Sequence, residues 1–242
     1  MITKLSLLAA CLAALSAPAL ASDGGCGEPL ATGRAQYIVG YGSLMQDDSR
    51  TRTSPRAGPA HPVEVEGYRR GWFSRGSAAG LGTTYLGVRS ERKSHINAVI
   101  YQVDPAEVDA TDKRESLYCR VAVELSDIRP LELKWAPERG AQAWIYLSLP
   151  KTVAAPDSRN PIVQSYVDVF LSGCLEQEQR SGLADFSREC LETTEGWSEH
   201  WVNDRVYPRR PFVYQPRAAQ IDGLLKQQLP QYFSRIRTES GG

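Results

Sequence analysis

The segment Tyr37-Ile38-Val39-Gly40-Tyr41-Gly42-Ser43-Leu44 decides how the rest of the chain is read. Its first five residues form a short buried strand, and Gly42-Ser43 stop it. Glycine lets the backbone turn tightly and present consecutive N–H groups towards one point, a nest for a carboxylate or an oxyanion. A strand ending in Gly-Ser is, by itself, most often only a turn. Upstream, residues 22–35 (SDGGCGEPLATGRA) are rich in Gly and Pro and make an extended lead-in. Downstream, residues 46–62 form a polar loop broken by prolines, and strand patterns follow at Val63–Ser74, Thr83–Val88 and Ile96–Val103.

Asp104-Pro105-Ala106-Glu107 then has the form of a helix start, with Asp as N-cap, Pro at the first helical position and Glu at the third. That helix is expected to be short, ending around Lys113-Arg114-Glu115. Tyr118–Leu125 alternates, with Cys119, Val121, Val123 and Leu125 on one face and Tyr118, Arg120, Ala122 and Glu124 on the other. Strands are also expected at Leu131–Trp135 and Ala141–Leu147. After Pro161 the period lengthens. Ile162, Val163, Tyr166, Val167, Phe170 and Leu171 lie at helical spacing, and Leu183, Phe186, Cys190 and Leu191 suggest a second helix. Trp197 to Pro211 is irregular, and Ala218–Ile236 predicts a terminal helix with Pro230 as a kink or break. No shift in composition marks an internal boundary, so residues 37–242 are expected to form one α+β domain with a helical C-terminal part.

The chain has 242 residues, 42% of them hydrophobic, enough to fill a sizeable core. Its 28 Lys+Arg balance 28 Asp+Glu, so no overall field draws in nucleic acid or an acidic membrane. Lys4 followed by the uncharged stretch Leu5 to Leu20, closing on Ala19-Leu20-Ala21, predicts a secretory signal over residues 1–21 cleaved after Ala21. Leu8-Ala9-Ala10-Cys11 offers a second reading, a lipoprotein box. Pro18 and the short apolar length argue against a membrane span, so none is expected once the signal is removed.

Export changes the meaning of the cysteines. Cys26, Cys119, Cys174 and Cys190 remain after cleavage, and three pairings are open to them. Cys174 and Cys190, on consecutive predicted helices, are the nearest pair and the expected disulfide. There is no CxxC motif, and His61, His95 and His200 stand far apart, so no metal site is expected. The remaining chemistry lies in Asp112-Lys113-Arg114-Glu115, followed by Tyr118 and Arg120, where a carboxylate falls at a helix-to-strand junction. Taken alone, Glu115 reads as a solvated carboxylate, and Glu124 and Glu132, within strands, as facing water.

Together these features resemble a family. Ile38-Val39-Gly40-Tyr41-Gly42-Ser43-Leu44, then Gly67-Tyr68-Arg69-Arg70, then Asp112-x-Arg114-Glu115-x-x-Tyr118-x-Arg120 is similar to the γ-glutamylcyclotransferase-like proteins, with a ChaC-type likeness in the first and third segments. The likeness covers about residues 37–125. It implies a small mixed β-barrel with surrounding helices. It also implies an enzyme releasing 5-oxoproline from a small-molecule γ-glutamyl peptide or amine, without metal or cofactor. In such an enzyme the substrate's α-amine attacks its own γ-carbonyl, and holding the substrate folded removes much of the entropic barrier. Glu115 matches the family's catalytic Glu, serving as base and then acid. Its pKa would need raising by partial burial. The likeness assigns Tyr41, Gly42, Ser43 and Leu44 to the glutamyl moiety and gives Tyr118 a steering role. Members that act on glutathione are usually cytosolic, which sets an exported chain apart from them.

Two other readings compete. A secreted, non-catalytic binding domain would keep the fold and use Trp197, Trp201, Tyr207, Arg209 and Arg210 as a surface; their simpler reading is a loop packed over the core with solvated arginines. A γ-glutamyl acyl transferase would need a Cys, Ser or Thr nucleophile, and none stands out.

Overall fold

A computed structural model describes residues 26–78, 80–210 and 217–239. The expected signal peptide, the first residues of the lead-in and Pro211 lie outside the described residues. The described chain is a mixed α+β fold built on one ten-stranded mixed sheet. The first half runs β1 (Gln36–Gly40), α1 (Asp47–Thr51), β2 (His61–Ala78), β3 (Leu81–Val103), α2 (Pro105–Arg114), β4 (Tyr118–Val123), β5 (Ile128–Pro130) and β6 (Gln142–Ser148). The second half is β7 (Ile162–Val163), α3 (Gln164–Ser181), α4 (Phe186–Glu192), β8 (Thr194–Glu195), β9 (Trp201–Asn203), α5 (Ala218–Gln228), α6 (Pro230–Phe233) and β10 (Arg237–Thr238).

The strand order is β10-β9-β7-β3-β1-β6-β4, and β2 pairs with β3, β5 and β8. β1 lies at the centre, antiparallel to β3 and parallel to β6. Both of its faces are buried, which is why it reads as a continuous apolar run rather than an alternation. Ile38 points into a large cluster shared with α3, α4 and α5. Tyr37 and Val39 point into a second cluster, where side chains from β1 to β6 meet without any helix.

Several expectations need correction: the loop expected over 46–62 contains α1, β4 stops at Val123 short of Glu124 and Leu125, and Ile162 and Val163, read at helical spacing, form β7. Arg89 to His95 does not interrupt the strands: β2 and β3 form one long hairpin paired from His61↔Ile100 to Ala78↔Leu81. The apolar pattern lapses there because Arg89, Ser90, Arg92 and Lys93 face outward, and residues 91–94 form an irregularity in β3 as the pairing passes from Tyr68↔Ser90 to Glu66↔His95. Leu131–Trp135 is a turn, and the pairing strand is the shorter Ile128–Pro130, laid against Val63–Val65 of β2. Glu132 is therefore not a strand residue, and its carboxylate meets His61 Nδ1 at 2.6 Å. Within the stretch read as irregular, Trp201–Asn203 pairs in parallel with β7. At the C-terminus Pro230 breaks the helix, separating α5 from α6.

Two disulfides tie the layers together. Cys174 is bonded to Cys190, joining α3 to α4, and Cys26 is bonded to Cys119, fastening the lead-in to β4. None of the helices formed by described residues is long and apolar enough to cross a membrane.

Candidate active site

Glu115 caps the C-terminus of α2. The helix starts where the sequence indicates: the Glu107 side chain accepts hydrogen bonds from Asp104 N (3.2 Å) and from Arg56 N in the preceding loop (2.8 Å). It ends with Glu115 N donating to Thr111 O (2.8 Å), after which Tyr118 N donates back to Glu115 O (2.9 Å). This tight turn into β4 leaves the Glu115 carboxylate projecting from the junction, its side chain only 16% exposed.

The carboxylate lies on the wall between two adjoining recesses. The outer one, about 310 Å³, is lined by Ser43, Ser77, Tyr85, Arg114, Ser116, Leu117, Tyr118, Tyr166 and Arg210 as well as Glu115. The inner one, about 20 Å³, has room for little more than a water or one polar head group. Its lining includes Tyr41, Gly42, Ser43 and Leu44, and it shares Ser43, Glu115, Tyr118 and Tyr166 with the outer cavity. The turn expected to form an anion nest and the acid expected to act beside it are thus brought to one place.

Neighbouring elements hold that turn from several sides. A Cβ at position 42 would lie 2.9 Å from the Tyr166 hydroxyl, so a side chain there would have to push that hydroxyl aside. The Tyr166 hydroxyl also meets the backbone of Ser43. Tyr41 donates its hydroxyl to Tyr146 O (2.6 Å), and its carbonyl accepts from Arg70 Nη1 (3.1 Å). Arg70, the second arginine of Gly67-Tyr68-Arg69-Arg70, is fully buried and also reaches Asn97, Cys190, Thr193 and Thr194. Burial pulls its pKa down to about 9, which leaves it protonated at neutral pH. The Leu44 side chain is packed into the core under the turn.

Arg114 joins the turn to the acid. Its Nε lies 3.1 Å from Glu115 Oε1, and its Nη2 donates to Ser43 Oγ at 3.0 Å. Further bonds to Ser49 and Thr53 leave the guanidinium fully committed. Burial raises the Glu115 pKa above its ordinary 4.5, opposed by the positive charges of Arg114 and Arg210. This is the direction a general base at neutral pH requires. Burial, with the Glu115 charge adding to it, pushes the Tyr41, Tyr118 and Tyr166 phenols upward, so all three stay protonated donors.

The other residues singled out in the sequence divide clearly. The Tyr118 hydroxyl donates to Leu86 O (2.7 Å), and its ring lines both recesses. Asp112 and Arg120 face away and pair with each other (2.9 Å); Asp112 also accepts from Tyr146 Oη, and Arg120 donates to Glu28 O of the lead-in. The proposed aromatic surface is not a surface. Trp197 and Trp201 stack 5.2 Å apart inside the core against Trp72, and Arg209 is buried rather than solvated. Of that group Tyr207 is exposed, and Arg210 turns to the cavity. Sequence reasoning gave no site role to Tyr85, Arg114, Tyr146 or Tyr166. Tyr166 reads there as one more apolar position on a helix. Among the described residues no group of His, Cys, Asp and Glu is arranged to hold a metal ion.

Fold and site define an α+β protein with an acid-bearing cavity where its central strand ends. The family model of gamma-glutamyl cyclotransferase, AIG2-like proteins matches residues 38–165, more than half of the chain, and the chain belongs to that family. Among solved structures it is similar to a gamma-glutamyl cyclotransferase at 10% identity, covering 80% of this chain and 99% of that one with a TM-score of 0.49. An uncharacterized protein from Homo sapiens is 11% identical over 68% of this chain and 92% of its own, with a TM-score of 0.49. A yeast gamma glutamyl cyclotransferase specific to glutathione is 11% identical over 66% of this chain and 95% of its own, with a TM-score of 0.45. No curated protein matches the sequence.

Proposed function

We propose that the chain is an exported γ-glutamylcyclotransferase that releases 5-oxoproline from a γ-glutamyl compound, with Glu115 as general base and then general acid. The observation that carries this reading is the Glu115 carboxylate, raised in pKa, on the wall shared by the glycine turn and the larger cavity. Glu115 takes a proton from the substrate's α-ammonium. The freed amine attacks the γ-carbonyl carbon, forming the ring C–N bond and a tetrahedral oxyanion. As the oxyanion collapses, the bond to the leaving amine breaks and Glu115 returns the proton to its nitrogen; the carboxylate then takes the second proton from the ring nitrogen and passes it to the departed amine, which leaves as an ammonium. Tyr41–Leu44 hold the glutamyl moiety, backbone N–H groups of the turn stabilise the oxyanion, and the Tyr118 ring orients acid and substrate. Ring closure is intramolecular, and every proton moved is accounted for by one carboxylate, so no cofactor is required. Export is supported by the two disulfides, which suit an oxidising compartment.

The test is release of 5-oxoproline from γ-glutamyl dipeptides, γ-glutamylamines and glutathione by wild type beside Glu115→Gln. Product from wild type, with kcat lower by about 10³-fold in the variant, is the expected result. An equally active variant would remove Glu115 as the base. No product from folded wild type across the panel would count against the reaction itself.

A further inference from the structure

Arg210 enters the outer cavity from a part of the chain beyond the segment that matches the family, which ends at residue 165. A buried clasp delivers it. Asp204, 1% exposed, accepts from Ser165 N (2.7 Å), Ser165 Oγ (2.6 Å) and Arg209 N (2.8 Å). Arg210 N in turn donates to Ser165 Oγ at 3.3 Å. On the other side Arg209 donates to Gly82 O (2.6 Å) and pairs with Glu239. The backbone is therefore held next to Tyr166, and the Arg210 side chain forms part of the cavity wall with Ser77, Tyr85 and Ser116.

Two cations line this cavity, and they are used differently. Arg114 is bound to Glu115, Ser43, Ser49 and Thr53. The Arg210 guanidinium has neither an ion pair nor a hydrogen-bond acceptor among the described residues, yet its charge reaches Glu115, Tyr85 and Tyr166. Among the described residues Glu115 is the one acid in the lining and already faces Arg114, so this part of the wall carries net positive charge. The inner recess takes only a polar head of the substrate, so whatever leaves Glu115 as the departing amine lies in the outer cavity, beside Arg210.

We propose that Arg210 is a specificity-determining residue that pairs with a carboxylate on the leaving half of the substrate. The preferred substrate is then a γ-glutamyl compound whose amine half is itself an anionic amino acid, not a neutral alkylamine. This deepens the cyclotransferase reading and rests on it. A guanidinium matches a carboxylate with two parallel N–H···O bonds, and a half-enclosed site screens the pair less than open water does.

The experiment compares γ-glutamylalanine with γ-glutamylalaninamide, which differ only in the terminal charge. Substrates are tested on wild type, Arg210→Met and Arg210→Lys; Met keeps the backbone bond to Ser165. Wild type is expected to favour the acid in kcat/KM by about tenfold or more, the effect of one charge-assisted pair. The ratio should fall to within about twofold of one in Arg210→Met and lie between in Arg210→Lys. Wild type without preference, or a ratio unchanged by Arg210→Met, overturns the proposal. Equal losses on both compounds also overturn it, because Arg210 would then serve the glutamyl half. Equilibrium binding of the same two probes to Glu115→Gln, with and without Arg210→Met, separates the two claims. If neither compound is turned over but the acid binds about tenfold tighter through Arg210, the reaction fails and the anion site stands. Equal binding overturns the anion site whatever the turnover.

Discussion

A carboxylate at the end of α2 shares its cavity with Tyr85, Leu117, Tyr118 and Tyr166, and has Arg114 in direct contact. For Glu115 the loss of hydration outweighs the attraction of Arg114 and Arg210, so its folded pKa lies above 4.5. The sign of the stability effect follows. Between 4.5 and the raised value the native state holds more protons than the unfolded chain, and stability falls as pH rises through that window. Above the window the cost is fully present. Glu115→Gln, which carries no charge, should therefore melt above wild type at pH 7. The gap should close as the pH drops below 4.5. Melting curves of both proteins between pH 4 and 8 check it; a variant less stable at every pH would mean that the Arg114 pair outweighs the burial cost. The acidic limb of kcat/KM for wild type should likewise lie above the range of a solvated glutamate.

The turn after β1 and the helix α3 depend on each other. Gly173, in the middle of α3, brings the helix so close that a Cβ there would lie 2.5 Å from Gln46 N and 2.6 Å from the Met45 carbonyl carbon. These are backbone atoms, which cannot swing aside as a side-chain end can. Gly173→Ala should gain helix propensity, roughly 1 kcal/mol in isolation, and still destabilise the protein by about 1–3 kcal/mol through overpacking. Because Met45 closes the turn by donating to Gly42 O (3.0 Å), the same change should lower kcat/KM more than it lowers the melt would suggest. Denaturant titration together with 5-oxoproline release measures both; a stabilised and fully active Gly173→Ala would show that helix and turn are not coupled. The strands and helices themselves were largely legible, since β1, α2, β4, β6, α3 and α4 announce themselves by period and caps. The tip of the β2–β3 hairpin, at 75–78 and 81–82, and the stretch 89–95 were not, because no apolar side chain is buried there to mark a strand.

The two disulfides divide the work of holding the molecule together. Cys174–Cys190 closes a loop of 16 residues, and Cys26–Cys119 one of 93. In the chain-entropy picture these restrict the unfolded chain by about 3 and about 4.7 kcal/mol respectively. Non-reducing peptide mapping should recover both bridges, and reduction should lower the melting temperature by well over 5 °C. Free thiols at Cys26 and Cys119 would overturn the second bridge and leave the lead-in held by hydrogen bonds, from Arg120 to Glu28 O and Gly27 N to Arg120 O at its start and from Ala31 N to Gln142 Oε1 and Arg34 to Ala141 O further on.

The amino-acid sequence was sufficient for the α+β class, the end of the central strand at Gly42-Ser43, the helix that stops at Glu115 and the family to which these belong. All of them are local signals: a period, a cap, a turn residue, a short ordered motif. The environment of Glu115 is not local. Burial, the Arg114 bridge to Ser43, the Tyr166 hydroxyl against Gly42 and the arrival of Arg210 come from segments far apart in the chain. A carboxylate's pKa and a cavity's charge depend on what surrounds them in space, and only the folding of α3 and the segment after β9 onto the turn brings those groups within reach.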